Sequence, residues 1–229
     1  SVPGSAAPAT VPNEAAAPAD GKGELVTLSN DVLRLTIDTR GGSIVRSELL
    51  AYPKDPVTKK DPNPPPARLL NDDPAHFFAA QNGLVSSTGA APDHRALFHA
   101  DKTDVTLADG QKSASLDLTW TDPSGVKVVK RYTLNRTNYV VDLDQRIENG
   151  STAAWSGNAY QQLQRVPAPK ASWLKAYTDP EQHSFFGAAW YSPDNKFESL
   201  HFDDFGKKPL NRQITGGWIS MLQHYFFVA

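Results

Sequence analysis

Between Leu116 and Glu148 the chain alternates apolar and polar residues with a period of two, three times over. Leu116, Leu118 and Trp120 alternate with Asp117 and Thr119; Pro123-Ser124-Gly125 then reverses the chain. Val126, Val128, Tyr132 and Leu134 share a face that only Lys130 interrupts. After a turn at Asn138, Tyr139, Val141, Leu143 and Ile147 alternate with Asp142, Asp144, Arg146 and Glu148. Alternation at this period places successive side chains on opposite faces of a pleated strand. Three such runs joined by short turns predict an antiparallel meander with an apolar inner face and a charged outer one. A helix cannot use this pattern, because its apolar stripe needs a period of 3.6.

A second strong pattern lies upstream, in Glu24–Lys54. Leu33, Leu35 and Ile37 alternate with Arg34, Thr36 and Asp38; Gly41-Gly42 supplies the positive φ values of a tight reversal, and Ser43 to Leu50 returns. Pro53 closes this hairpin before the proline-crowded surface loop Asp55–Ala67. Further short strands are predicted at Arg68–Leu70, His76–Gln81, Leu84-Val85 and Val105–Leu107, with Asn82-Gly83 read as a turn. Ser86–Asp101 reads as an irregular connection carrying His94 and His99. Ser156–Val166 is polar enough for an edge strand, and Pro167–Gln182 reads as a long loop. Phe185–Tyr191, Phe197–Phe202 and Ile219–Val228 complete the strands. No segment holds a helical period for more than about three turns. The fold class predicted is all-β, a two-sheet antiparallel sandwich with little helix.

Composition narrows the function. A formal net charge of −2, with no long run of Lys or Arg, argues against an extended nucleic-acid or anionic-lipid surface. The absence of cysteine excludes disulfides, thiolate metal sites and cysteine nucleophiles. No stretch reaches the roughly 18 apolar residues of a membrane helix. Residues 1–23, rich in Ala and Pro and lacking aromatics, read as a flexible tether, and residues 24–229 as the folded domain.

The six histidines show neither His-x-x-x-His nor His-Glu-x-x-His spacing, so no metal site is predicted. Neither a Gly-x-Ser-x-Gly elbow nor a glycine-rich phosphate loop is present. Gln182-His183-Ser184-Phe185-Phe186 resembles a motif of aldose mutarotases, β-sandwich enzymes that use a histidine acid and a glutamate base on a sugar. That alternative casts His183 as acid and Glu198 or Glu181 as base. It requires both groups to face one cleft. Aromatic residues crowd the second half of the chain. Trp190 and Trp218 are expected in the core, whereas Trp173 and Tyr177, in a proline-flanked loop, are the candidate partner-binding residues.

Several colinear segments resemble the large periplasmic domain of the YidC membrane protein insertases of Gram-negative bacteria. They are Asp31–Gly42 (DVLRLTIDTRGG), Leu49–Lys54 (LLAYPK), Gln81–Leu84 (QNGL), Phe186–Tyr191 (FGAAWY) and Gly216–Phe226 (GGWISMLQHYF). The resemblance spans about Glu24 to Ala229. It implies a β-supersandwich similar to galactose mutarotase, on the periplasmic side of the inner membrane, without catalysis, cofactor or metal. It further implies that residues 1–23 follow a membrane helix, that closing strands come after Phe227, and that an edge strand is left open by their absence. The partners implied are the Sec translocon (SecDF, SecYEG) and nascent inner-membrane proteins, with Pro169–Phe205 as the contact region. Insertion itself would belong to C-terminal helices outside this sequence. A spacer role is the blander alternative.

Overall fold

The computed structural model describes residues 23–166, 185–207, 209–223 and 226–229. These divide into two compact units, one built from the described residues of Ser1–Asp72 with Phe78–Gln164 and the other from Asp73–Phe77 with the described residues of Arg165–Ala229.

The first unit carries two sheets. One is seven-stranded: β1 (Leu25–Ser29), β2 (Leu33–Asp38), β3 (Ser43–Pro53), β4 (Pro66–Arg68), β5 (Phe78–Ser86), β7 (Asp104–Thr106) and β11 (Gly157–Arg165). Its order is β11-β5-β3-β2-β1-β7, with β4 paired to β3. The other runs β10-β9-β8-β6, from β6 (His99–Ala100), β8 (Ser113–Thr121), β9 (Val126–Asn135) and β10 (Val141–Asn149). The predicted meander is therefore β8-β9-β10, and the all-β sandwich class holds. The end strand of the seven-stranded sheet departs from antiparallel order: β7 lies parallel to β1.

Local chemistry explains the turns. Asn30 Oδ1 accepts from the backbone N–H of Val32 and Leu33 (2.9 and 2.7 Å), which closes the β1–β2 reversal. Its Nδ2 donates to the carbonyls of Asn135 and Asn138 (2.6 and 2.8 Å), tying that reversal to the β9–β10 turn of the facing sheet. Gly41 and Gly42 have φ of 75° and 64°, as the β2–β3 reversal demands. Val26, Leu28, Leu35, Ile37, Leu118, Val126, Val128 and Leu134 are almost wholly inaccessible. Burying each contributes roughly 1.5–3 kcal/mol, so apolar area is the main force closing the two layers.

Three expectations change. Asn82-Gly83 is no turn but the middle of β5, a continuous strand. Gly83 is there for space: a Cβ would sit 2.5 Å from Tyr160 Oη. The apolar residues of β10 are half-buried rather than core, because β10 is an edge strand, and Tyr139 lies exposed before it. Ile219–Val228 is not one strand. It breaks into two antiparallel strands, as described below.

Lys130 continues the buried alternation of β9 instead of interrupting it. Its ammonium is fully enclosed, donating to the Gly41 and Asn82 carbonyls (2.6 and 3.0 Å) and lying 4.6 Å from the centre of the Phe98 ring. Beside it Tyr132 donates to the Gly42 carbonyl and accepts from Asn82 Nδ2 (3.1 Å). Burial raises the Tyr132 phenol well above its usual pKa, so it stays a donor. A polar node thus sits inside the apolar sandwich, joining β9 to the β2–β3 reversal and to β5.

The second unit is a four-stranded antiparallel sheet, β13-β12-β14-β15. Its strands are β12 (Gly187–Ser192), β13 (Lys196–His201), β14 (Trp218–Gln223) and β15 (Phe226–Val228). Arg165 braces it, its guanidinium stacked 3.8 Å from the Phe186 ring centre and its Nη1 donating to the Leu222 carbonyl (3.2 Å).

Candidate docking surface

Register in the second unit builds an aromatic row. Tyr191 of β12 lies opposite Phe197 of β13 on one side and Trp218 of β14 on the other. Directly paired residues project from the same face, so the three rings line up across three strands. The Tyr191 and Trp218 rings stack at 6.2 Å with 15° between planes; Phe197 meets Trp218 at 6.3 Å and 52°. Phe197 is 57% exposed and Trp218 45%. Two large rings held this open are unusual for a sheet face that is meant to stay bare.

The row is rigidly based. Ala189, the next residue of β12 on that face, is inaccessible, as is its partner Ser220, whose hydroxyl approaches the Ala189 carbonyl (3.4 Å). On the opposite face Trp190 is buried and donates from Nε1 to Glu198 Oε2 (3.1 Å), which also accepts from Arg212 Nη1 (2.5 Å). Each face is thus part covered: Trp190 is buried on one, beside an Ile219 that is exposed, and Ala189 and Ser220 are buried on the other, beside the open rings. Among the described residues β13 pairs only with β12, so its outer backbone edge lies next to Phe197.

Of the residues singled out from sequence, Trp173, Tyr177, His183 and Glu181 lie outside the described residues. Glu198 is described, and it makes a poor general base. The Arg212 guanidinium bonded to it holds its carboxyl below the usual range, so its affinity for a proton is weakened. Trp190 is in the core as expected, but Trp218 is not. Among the described residues no three of His, Cys, Asp and Glu gather as metal ligands.

Phe197 was legible as a strand residue, not as a surface one. The signal was its face: at period two it travels with Ser199 and His201, a polar company that marks solvent. Trp218 carried the opposite signal, standing beside Ile219 and Met221, and only pairing to β12 reveals which way it points.

Comparison with known proteins bears on what such a surface serves. A family described as the YidC periplasmic domain matches residues 25–229. The membrane protein insertase YidC of Thioalkalivibrio sulfidiphilus (strain HL-EbGR7) is 38% identical over 221 residues, covering 93% of this chain and 37% of that protein. The insertase YidC of Stenotrophomonas maltophilia (strain K279a) is 37% identical over 232 residues, covering 100% of this chain and 39% of that protein. That of Alkalilimnicola ehrlichii (strain ATCC BAA-1101 / DSM 17681 / MLHE-1) is 38% identical over 205 residues, 89% and 35% of the respective chains. The chain therefore spans little more than a third of the length of the curated relatives it matches.

Proposed function

The chain belongs to the YidC periplasmic-domain family, and from that premise we propose that it is a non-catalytic docking module of a membrane protein insertase. It works on the periplasmic side of the inner membrane and recognises its partners by surface. The partners are subunits of the Sec translocon, SecDF first and SecYEG next, with nascent inner-membrane proteins as the cargo. Residues 1–23 act as a tether to the rest of the insertase, and residues 24–229 as the module.

The observation that carries this reading is the exposed row Phe197-Tyr191-Trp218 at an edge of a sheet. Aromatic anchors are the commonest energetic centres of protein interfaces, and an adjacent strand edge can add backbone hydrogen bonds to an extended partner segment. Trp173 and Tyr177 belong to the same contact region in this proposal.

Site-specific photocrosslinking in the full-length insertase tests it. Probes at Phe197, Trp218, Trp173 and Tyr177 should give SecDF adducts. A Phe197→Ala, Trp218→Ala double variant should lower adduct yield from the Trp173 and Tyr177 probes by tenfold or more. Because Trp218 stacks on Tyr191 and packs against Phe197, the double variant should also lose about 1–3 kcal/mol of stability, so its adduct yields are compared at a temperature where it stays folded by circular dichroism. Absence of Sec adducts at all four positions would remove the docking role. Adducts only to nascent chains would replace the translocon with the substrate as the partner.

A further inference from the structure

The most unusual group in the molecule is Lys130, which the docking reading leaves unused. It lies in the middle of the sandwich with no exposed surface, and among the described residues it makes no salt bridge. The three donors of its ammonium meet two carbonyls and one ring face, all neutral. Lysine is rarely fully buried without a carboxylate, since the ionic form then gives up water for dipoles alone.

Its acceptors matter as much as its burial. Gly41 is in the β2–β3 reversal, and Asn82 is the mid-strand residue of β5. One side chain from β9 thereby spans both layers and holds the reversal and β5 together. Among the described residues the charged group that acts on it is Asp93, on the segment before β6 that continues into His94 and Arg95, and Tyr132 of its own strand converges with it on Gly42. Asp93 favours the ammonium through space, but it is already engaged by Arg95 at 2.7 Å. His94 is occupied with Tyr160 Oη (2.7 Å). Tyr132 and Tyr160 are both pushed up by burial and stay neutral across the neutral range.

We infer that Lys130 makes the stability of this sandwich proton-dependent: its amine is enclosed among neutral partners, so proton uptake there weakens the folded state as a whole and proton loss strengthens it. Burial brings its pKa down to about 7. The sign follows from linkage. The unfolded chain keeps its lysine protonated up to the ordinary value near 10.5, whereas the folded chain releases the proton at about 7. Between these limits the unfolded state binds one more proton, so stability rises with pH there and is flat below.

Denaturant unfolding of this chain at a series of pH values reads this dependence. Between about pH 8 and 9.5 the folding equilibrium constant should rise close to tenfold per pH unit. In Lys130→Met, similar in length and uncharged, that slope should vanish. A ¹³C NMR titration of Lys130 Cε in the native protein gives a second readout that needs no variant, with a midpoint expected near neutrality. A midpoint above about 9.5, or an equal slope in both proteins, would overturn the inference. Should Lys130→Met fail to fold, the NMR midpoint alone decides.

Discussion

Replacing Gly41 by alanine is expected to cost about 2–5 kcal/mol of stability, among the largest effects of any single methyl group in this protein. Two terms combine. At a φ of 75° an L side chain is strained by roughly 1–2 kcal/mol. The added Cβ would also stand 2.0 Å from the His94 carbonyl oxygen and 2.5 Å from its carbon. Those are backbone atoms, so no rotamer change relieves the clash; overpacking of this kind costs a further 1–3 kcal/mol. The displaced segment is the one that accepts the Gly41 N–H at Ala96 (2.7 Å) and pairs Arg40 with Leu97. Gly110→Ala is the matched control, with a φ of 78° and nothing within 4 Å of its Cβ. It should lose the strain term only. Urea midpoints for the two variants measure the difference, and equal losses would refute the close-approach argument.

Tyr132→Phe is expected to cost about 2–6 kcal/mol, although it removes one oxygen and no carbon. The phenol donates to the Gly42 carbonyl and accepts from Asn82 Nδ2 at a site without solvent. Deleting it strands both partners, and each buried unsatisfied group costs on the order of 1–3 kcal/mol. Asn82 has little slack, because its Oδ1 is already buried without a hydrogen-bond partner. Adding Asn82→Leu to Tyr132→Phe removes the stranded amide, so the double variant should cost less than the sum of the singles. A thermodynamic cycle showing plain additivity would mean that the two side chains do not act together.

Both predictions concern a part of the molecule that was half visible from the sequence. The alternation in β8 and β9, and the Gly41-Gly42 reversal, were legible because each rests on neighbours along the chain: side-chain period and backbone sterics. The same pattern was misread wherever a residue's role depended on a distant strand. Lys130 looked like an interruption of an apolar face, since no local rule tells a lysine that two carbonyls and a ring await it across the sandwich. Asn82-Gly83 looked like a turn, the commonest use of that dipeptide, because the ring of Tyr160 that needs the missing Cβ comes from β11, far along the sequence. The docking row shows the same division. Tyr191, Phe197 and Trp218 were each assigned to strands, or to the edge of one, yet nothing in any single segment says that the three share a line.

What the amino-acid order determined by itself was therefore the all-β class, the meander and the tight glycine reversal, together with family membership carried by long colinear motifs. Tertiary structure alone decided which polar groups went inside, and which aromatic rings were left outside. The reason is physical. Periodicity is a property of adjacent residues, whereas burial and hydrogen-bond satisfaction belong to pairs brought together only when sheets stack.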